Sequence, residues 1–407
     1  MQCRRAAAPQ TGQVPRGTGD AYLSRILYLV HNLADPAVAR RVAMFQAGGA
    51  EVDVAGFRRG DAPLPALSAD TVVEIDITHD GRMMQRLSAT LGAAWRAPVW
   101  SRPLRRPDVI VARNLEMLGV ANRLRGLWGK APRLVYECLD LHRLMLRQDA
   151  VGQAMRTVEQ RLMREADLLI TSSPAFLRNH FDLHGAPPSL LVENKVFAPG
   201  LAALGGNPAL RHDFGPIRVG WFGALRCAKS LAALDALSRH FDGRVEVTLA
   251  GRPALTEFDD FHAVTARSPH LNYAGTFAYP DDLPSIYGGV HFVWAMDFFE
   301  EGLNSNWLLP NRLYEGCLNG AIPIALAGTE TAGFIERLGI GVVVPDIARE
   351  TLLALFEGMT PERLRQLASV VAMQDARRFR CDAQECTDLV AQLSGQRTPM
   401  PLLEAAE

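Results

Sequence analysis

Short runs of β-branched and leucine residues alternate with helical patterns along most of this 407-residue chain, and the alternation runs through twice. This order of strands and helices is the sequence signature of α/β proteins with parallel sheets. A chain of this length, with 48% hydrophobic residues, can fill two separate cores. The pattern therefore predicts an α/β fold of two doubly wound, Rossmann-like domains.

The strands of the two domains can be located individually. In the first half they are expected at Ile26–Val30, Val52–Ala55, Val72–Ile75, Val109–Ala112, Leu134–Glu137, Leu168–Thr171 and Leu190–Val192. In the second half they are expected at Arg218–Phe222, Val245–Ala250, Leu271–Tyr273, Val290–Trp294, Ile322–Leu326 and Val342–Val344. Asp35 suits the N-cap and Pro36 the first position of the first helix.

A stretch rich in Pro, Gly and Ala separates the two halves and predicts a linker. Two domains joined in this way leave a central cleft at the carboxyl ends of their strands, where open α/β sheets bind ligands. The C-terminal helices either stay with the second domain or cross back to the first. The expected divisions are a disordered leader (1–22), a first domain (23–200), the linker (201–216), a second domain (217–360), C-terminal helices (361–395) and a tail (396–407).

A polar loop runs into a helix in which Pro310 is expected at the first position, and the carboxylate of Glu315 follows one turn later. Backbone N–H groups at a helix N-terminus attract phosphate oxygens, and a carboxylate nearby can accept hydrogen bonds from a ribose diol. The segment therefore favours a nucleoside diphosphate site. The alternative is an ordinary loop and helix junction in which Glu315 faces solvent.

The first strand of the second domain ends in a glycine turn followed by two cations. Gly223 allows the backbone to approach an anion closely, and Arg226 and Lys229 can bind a diphosphate that gains charge as it leaves. The alternative is a solvated basic turn.

Three motifs of the second half occur in an order that resembles a known family. They are Gly223 to Lys229, Gly275-Thr276-Phe277 before a helix with Leu283, Ile286 and Tyr287, and Pro310 to Glu315 before Gly320-x-Ile322-Pro323-Ile324. Together they resemble the C-terminal domain of GT-B glycosyltransferases of family 4, of the bacterial exopolysaccharide (succinoglycan-type) kind. The N-terminal half is similar to this family through 33–36, 135–143 and 165–171, so the resemblance covers about residues 25 to 356.

The resemblance implies roles for residues that would bind a nucleotide-sugar donor. Glu315 would hold the ribose, while Gly223, Arg226 and Lys229 would hold the diphosphate. The loop containing Asn306, Leu309 and Asn311 would contact the sugar or the phosphates. Many family members have a second glutamate eight residues before the one that binds ribose, but this chain has Trp307 there. The identity of the sugar therefore does not follow from the resemblance.

Candidates for the acceptor side lie in the first domain: Asp35, Glu137, Asp140 and His142. In an inverting enzyme, Asp140 or His142 would be the general base. In a retaining enzyme, which the resemblance favours, the leaving phosphate could accept the proton, and these residues would position substrates. The alternative for His142 is a capping or core histidine held by Asp140.

Charge and composition narrow the range of partners. The formal net charge of −1 argues against a nucleic-acid binder, although the first 200 residues carry 26 basic and 19 acidic side chains. Leu87–Arg106 mixes aromatic residues with arginines and could rest on an anionic membrane. The alternative is that its aromatic residues belong to the core, and three prolines in the segment (Pro98, Pro103 and Pro107) would break a helix there. The six cysteines show no metal-ligand spacing, so we expect no metal and no cofactor. Without an apolar signal segment or membrane span, a cytoplasmic protein is expected.

These observations predict a glycosyltransferase that moves a sugar from a nucleoside diphosphate to a saccharide acceptor, which the resemblance suggests is lipid-linked. A GT-B-like nucleotide-sugar 2-epimerase is one alternative, and it would not require an acceptor. A two-domain sugar-binding protein is another, but it would not need paired cations for phosphate.

Overall fold

The computed structural model describes residues 24–60, 67–79, 83–198 and 215–396, with only the backbone of Met83 and Met84 considered. The predicted leader lies outside this part of the chain, as do nearly all of the linker and the tail. Within the described ranges, no helix combines the length and apolarity needed to cross a bilayer.

The first domain is built on a seven-stranded parallel sheet in the order β3-β2-β1-β4-β5-β6-β7. All seven predicted strands are present. They are β1 (Arg25–Val30), β2 (Glu51–Arg59), β3 (Thr71–Thr78), β4 (Val109–Arg113), β5 (Arg133–Cys138), β6 (Leu168–Thr171) and β7 (Ser189–Leu191). The helices are α1 (Pro36–Ala47), α2 (Met83–Trp95), α3 (Ala97–Trp100), α4 (Asn114–Leu127), α5 (Ala150–Met163), α6 (Pro174–Phe176), a π turn (Leu177–Phe181) and α7 (Asp182–His184).

The second domain repeats this plan with a six-stranded parallel sheet in the order β10-β9-β8-β11-β12-β13. Its strands are β8 (Ile217–Leu225), β9 (Val245–Pro253), β10 (Leu271–Tyr273), β11 (Phe292–Trp294), β12 (Ile322–Leu326) and β13 (Val342–Val344). Its helices are α8 (Ala228–Phe241), α9 (Phe261–Arg267), α10 (Leu283–Gly288), α11 (Asn311–Leu318), α12 (Glu330–Arg337), α13 (Arg349–Glu357) and α14 (Pro361–Ala372). Short 3₁₀ turns lie at Leu255–Glu257, Asn304–Trp307 and Ala376–Arg378.

The last helix, α15 (Ala383–Leu393), returns to the first domain and packs on α1. Cys386, Leu389, Val390 and Leu393 join the apolar cluster on that side of the first sheet. The fit requires a glycine at position 48, because a Cβ atom there would lie 2.2 Å from the carbonyl oxygen of Cys386. The C-terminal helix therefore ties the end of the second domain to the first.

In both sheets the strand order reverses beside the first strand, at β1/β4 and at β8/β11. A crevice opens outside the carboxyl ends of the strands at such a reversal, and this is where open α/β sheets bind ligands. The loop that follows β11 crosses from the second domain to the first. The Asn304 amide nitrogen donates to Asp140 Oδ1 and to the Leu141 carbonyl, both at 2.7 Å.

Candidate functional site

The predicted glycine turn falls within the last residues of β8, where Gly223 pairs with Gly251 of β9. Gly223 has φ 103°, which disfavours any side chain, and Gly251 of β9 lies beside it with φ 134°. A Cβ atom on Gly251 would stand 1.9 Å from the Gly223 carbonyl oxygen. Glycine is therefore required at both positions, and the backbone at Gly223 faces open space.

Arg226 follows this turn and belongs to a buried ion cluster. Its Nη2 atom lies 3.1 Å from Asp297 Oδ2, and Arg312 Nη2 approaches the same oxygen at 3.3 Å. Burial opposes ionisation of Asp297, but the two guanidinium groups outweigh it and keep the pKa of Asp297 below its usual range. Arg226 Nε and Arg312 Nη1 are buried with no hydrogen-bond acceptor in the described part of the chain. One carboxylate thus serves two cations, and the two donors left over suit an anion.

Lys229 lies in the first turn of α8 and is more exposed. Its Nζ atom is 2.6 Å from Glu301 Oε1 and 5.0 Å from the centre of the Phe298 ring. Half of each charged side chain faces solvent. Glu301 therefore occupies Lys229 in this structure, and a diphosphate would have to compete with it.

Glu315 is buried on α11, and Tyr287 donates a hydrogen bond of 2.7 Å to its Oε2 atom. No other described residue donates to this carboxylate, so Oε1 can accept from a ligand. Burial raises the pKa of Glu315 above its usual range, despite Tyr287 and the nearby Arg40 and Arg312. Glu315 does not face solvent as an ordinary junction would require. The helix begins at Asn311, so Pro310 is its N-cap and not its first residue.

The three loop residues predicted to bind the donor differ in their positions. Asn311 is exposed, Asn306 is partly exposed, and the Leu309 side chain is buried in the second core. The Leu309 carbonyl accepts a hydrogen bond of 3.0 Å from Asn194 of the first domain. Leu309 can therefore shape the loop but cannot offer its side chain to a sugar.

Trp307, which replaces the second glutamate of the family pattern, packs against the first domain. Its ring makes an edge contact with Phe176 at 6.2 Å between centroids, and its carbonyl accepts from Ser173 Oγ. The position that would offer a carboxylate to the donor sugar therefore fixes the loop across the cleft.

On the acceptor side, Asp140 lies in the cleft and retains access to solvent. Loss of hydration in the cleft raises the pKa of Asp140, although Arg226 and the hydrogen bond from Asn304 oppose the shift. The carboxylate therefore faces the donor cluster.

His142 is also exposed, and its Nδ1 atom accepts a hydrogen bond of 3.3 Å from the backbone N–H of Leu144. Burial and Arg86 lower the pKa of His142, so the ring is neutral near pH 7. Because Nδ1 accepts, the ring proton sits on Nε2. His142 is thus arranged to donate a hydrogen bond, which disfavours it as a general base. Asp140 does not hold it, because Asn304 is the partner of Asp140.

The sequence predicted that Glu137 would lie on the acceptor side of the cleft, but in the structure it does not face the cleft. It has no exposed surface, and it accepts from the Tyr28 hydroxyl and from Arg41 Nε at 2.8 Å. Since β5 is a central strand, its last side chains are enclosed by the strands and helices around them. Asp35 caps α1 through the Ala37 N–H at 2.9 Å and also pairs with Arg113 at 3.1 Å. Glu137 and Asp35 therefore belong to one ion network at the ends of β1, β4 and β5.

Two further charged residues lie beside this site. Glu300 is half-buried and interacts electrostatically with both Asp140 and Arg226, and burial and Asp140 raise its pKa. Arg40 of α1 approaches the Tyr279 ring at 6.0 Å and acts electrostatically on Glu315. The acidic pair Glu300-Glu301 was visible in the sequence, whereas Arg40 reads as one more polar residue of an amphipathic helix.

Comparisons with known proteins identify a family and relatives that this chain resembles. A family model described as a glycosyl transferase 4-like domain matches residues 34–194. The chain is 48% identical over 376 residues to the succinoglycan biosynthesis protein ExoL of Rhizobium meliloti (strain 1021), covering 91% of this chain and 93% of that protein.

Solved structures also share the fold. Anabaena Alr3699/HepE in complex with UDP and glucose has a TM-score of 0.63 at 18% identity, covering 92% of this chain and 100% of that one. Sucrose-phosphate synthase from Thermosynechococcus elongatus has a TM-score of 0.66 at 15% identity, covering 94% of this chain and 100% of that one. These likenesses establish the GT-B fold predicted from the sequence. The identity to ExoL over most of both chains, together with the family model, shows that this protein belongs to the glycosyltransferase 4-like family.

Proposed function

We propose that this protein transfers a sugar from a nucleoside diphosphate to a saccharide acceptor during assembly of an exopolysaccharide. The observation that carries the proposal is the pair Arg226 and Arg312, which share Asp297 and have two buried N–H donors that no described residue accepts. A diphosphate supplies the missing acceptors. The relationship to ExoL, a succinoglycan biosynthesis protein, supports the polysaccharide context.

In the proposed complex, Glu315 Oε1 accepts from the ribose, and Arg226, Arg312 and Lys229 bind the diphosphate beside Gly223. The open backbone at Gly223 supports this arrangement, since a phosphate oxygen needs close approach. The sugar then lies between Arg226 and Asp140. UDP is the first nucleotide to test, because HepE was solved with it.

The proposed reaction breaks the bond between the sugar anomeric carbon and the β-phosphate oxygen, which keeps the electron pair. The acceptor oxygen forms the new bond to that carbon. In the retaining course, the leaving phosphate takes the acceptor proton while Asp140 and His142 hold the acceptor. His142 as a donor and Asp140 as an acceptor can bind one hydroxyl group each. The anomeric configuration of the product, measured by NMR, distinguishes this course from inversion by Asp140.

We also propose that transfer needs no divalent metal, since side-chain cations can stabilise the leaving diphosphate. No group of three or more His, Cys, Asp or Glu within the described ranges could hold a metal ion. Full activity in EDTA is expected. Activity restored only by added Mg²⁺ or Mn²⁺ would contradict this proposal.

The acceptor in this proposal is lipid-linked, and the first domain rests on the cytoplasmic face of a membrane. Four apolar residues, defined here as the apolar stripe, follow one another at helical spacing on α2 and α3: Leu87, Leu91, Trp95 and Val99, with 52%, 63%, 80% and 59% of their surfaces exposed. The exposed Arg102, Arg105 and Arg106 follow them. An apolar face beside cations suits a membrane with anionic lipids.

Vesicle binding tests this surface directly. Wild type should sediment with phosphatidylcholine vesicles that contain phosphatidylglycerol, and Trp95→Ser should bind them at least about tenfold more weakly. Trp128→Ser, on the end of α4, is the control. Equal binding by all three proteins would remove the membrane from the proposal.

The function itself is tested by calorimetry and thermal shift with UDP, GDP, ADP and their sugar conjugates. Wild type should bind one nucleotide family, and Glu315→Gln and Glu315→Ala should weaken that binding at least about tenfold. The control Glu336→Ala removes an exposed carboxylate from α12 and should bind as wild type does. Sugar transfer that depends on an acceptor separates this function from 2-epimerisation. A protein that binds glycans but no nucleotide would instead support the sugar-binding alternative.

A further inference from the structure

Basic side chains gather at the carboxyl ends of β1, β2 and β4, a place that the proposed donor site does not use. Arg59 ends β2, Arg113 ends β4, and His31 follows β1 directly. Arg86 reaches the same place from α2, where it pairs with Glu116 of α4 at 2.6 Å. The strands are neighbours in the sheet, so their ends form one recess at the strand reversal. This His31 recess is defined by His31, Arg59, Arg86, Arg113 and Asn114.

The geometry at His31 is held by a residue in an uncommon conformation. Asn114 has φ 70°, in the left-handed region that non-glycine residues rarely adopt, and its Nδ2 atom lies 3.1 Å from His31 Nδ1. An amide nitrogen can only donate, so His31 Nδ1 accepts and the ring proton is on Nε2. Within the described ranges, no acceptor is bonded to that Nε2–H. The recess therefore contains an oriented hydrogen-bond donor.

Positive charges outweigh negative ones in their effect on His31. Burial, Arg113 and Arg59 lower the pKa of His31 to about 3, and Arg86 contributes in the same sense. Asp35 opposes the shift without reversing it. The imidazole thus stays neutral at every physiological pH, and its Nε2–H remains a donor in a cationic setting. An anion, and not a sugar hydroxyl, is the ligand that such a field favours.

The recess lies between the two regions that a lipid-linked acceptor must reach. Arg86 precedes Leu87, the first residue of the apolar stripe, and it also acts electrostatically on His142 in the cleft. A molecule with its lipid on the stripe and its sugar at Asp140 would pass its linkage through this recess.

We propose that the His31 recess binds the diphosphate that joins the acceptor sugar to its lipid. His31 Nε2–H, Arg86 and Arg59 are the donors to its oxygens, and Asn114 fixes the imidazole. This inference rests on the proposed function, because it assigns a second diphosphate site to the same transferase. The shared chemistry is a phosphate ester beside a membrane, and a phospholipid headgroup is the other source of such a group.

The probe is farnesyl diphosphate, with farnesol as its uncharged counterpart, measured by calorimetry in detergent with UDP saturating the donor site. Wild type should bind the diphosphate and not farnesol. Arg86→Gln and His31→Gln should each weaken this binding about tenfold or more, since each removes a donor to a charged group. Arg123→Gln, an exposed arginine elsewhere on α4, should bind normally. Thermal melting of each variant verifies that it is folded.

The outcomes separate this inference from the proposed function. Glu315→Ala should lose UDP while keeping farnesyl diphosphate, so loss of both ligands would overturn the assignment of two sites. Unchanged binding of farnesyl diphosphate in both recess variants would overturn the inference while leaving the transferase intact. If Arg86→Gln instead lost only phosphatidylglycerol vesicles, the recess would hold a lipid headgroup and the inference would be wrong.

Discussion

The two sides of the cleft hold their charges in opposite ways. On the donor face, defined as Arg226, Asp297, Arg312 and Glu315, one carboxylate is shared by two guanidinium groups, and two buried nitrogens have no acceptor in the described part of the chain. In the first-domain network, the groups bond one another. Arg113 donates to the Tyr28 hydroxyl at 3.0 Å and pairs with Asp35, while Tyr28 and Arg41 both donate to Glu137.

The difference indicates what each set of charges is for. An unbonded buried donor destabilises the folded protein, so its presence beside a cleft favours a ligand that completes it. A closed network fixes the ends of β1, β4 and β5 and leaves little bonding capacity for a substrate. We therefore expect mutations on the donor face to affect catalysis and mutations in the network to affect stability.

The largest effect is expected for Glu137→Ala. The change leaves Arg41 and Arg113 buried beside a missing carboxylate, which should lower the free energy of unfolding by about 3–5 kcal/mol. Urea denaturation measures this loss, and Glu74→Ala, which removes an exposed partner of Arg58, should change it little. A Glu137→Ala protein that is as stable as wild type but has greatly reduced turnover would contradict the assignment of Glu137 to a purely structural network. Glu137 would then be a residue of the acceptor site.

Arg226→Ala should have the next largest effect, on turnover. Asp297 keeps Arg312 as its partner, so the fold should survive, but the leaving diphosphate loses a donor as its charge develops. A fall in kcat of about 100-fold or more is expected, with a smaller change in donor affinity. Steady-state kinetics and calorimetry separate the two quantities, with Arg363→Ala on α14 as the control. Weaker donor affinity with an unchanged kcat would instead mean that Arg226 binds the ground state and the transition state equally.

The fold could be predicted from the sequence because strands with buried β-branched residues alternate with helices that have distinct caps. Asp35 and Pro36 start α1 as predicted, since a side-chain acceptor and a fixed φ act locally. The sequence motifs around Gly223 and Glu315 could also be recognised, because the residues of each motif are contiguous in the chain.

What the sequence could not provide was the burial of single side chains and the contacts between distant segments. Glu137 and Asp140 are three positions apart, yet one is enclosed in an ion network and the other faces the cleft. The partners of Glu137 lie 96 and 109 residues away, and the partner of Asp140 lies 164 residues away. No local pattern carries that information. The same reason explains why Arg312 and Arg40 were missed.

A pH profile should link the two sides of the cleft. The pKa of Asp140 is raised above its usual 3.8, so the carboxylate becomes protonated as the pH falls through that higher value and can no longer accept from the acceptor hydroxyl. We expect kcat/KM to fall on the acidic side, and Asp140→Asn to lose about tenfold at neutral pH and to flatten that limb. Because Arg226 lowers the pKa of Asp140, Arg226→Gln should move the limb to higher pH. A limb that persists unchanged in Asp140→Asn would assign it to another group.

The smallest effect is expected at Lys229, a donor-side cation that pairs with a carboxylate at the surface. Glu301 pairs with Lys229 at 2.6 Å, and both side chains are half exposed. Because this pair competes with a diphosphate for Lys229, Glu301→Gln should tighten UDP binding about two- to fivefold at low salt, and added salt should reduce the gain. Glu350→Gln on α13 is the matched loss of charge. If both variants tighten binding equally, general charge explains the gain. If Glu301→Gln weakens binding, Glu301 itself contacts the donor, and the donor face then extends to the surface.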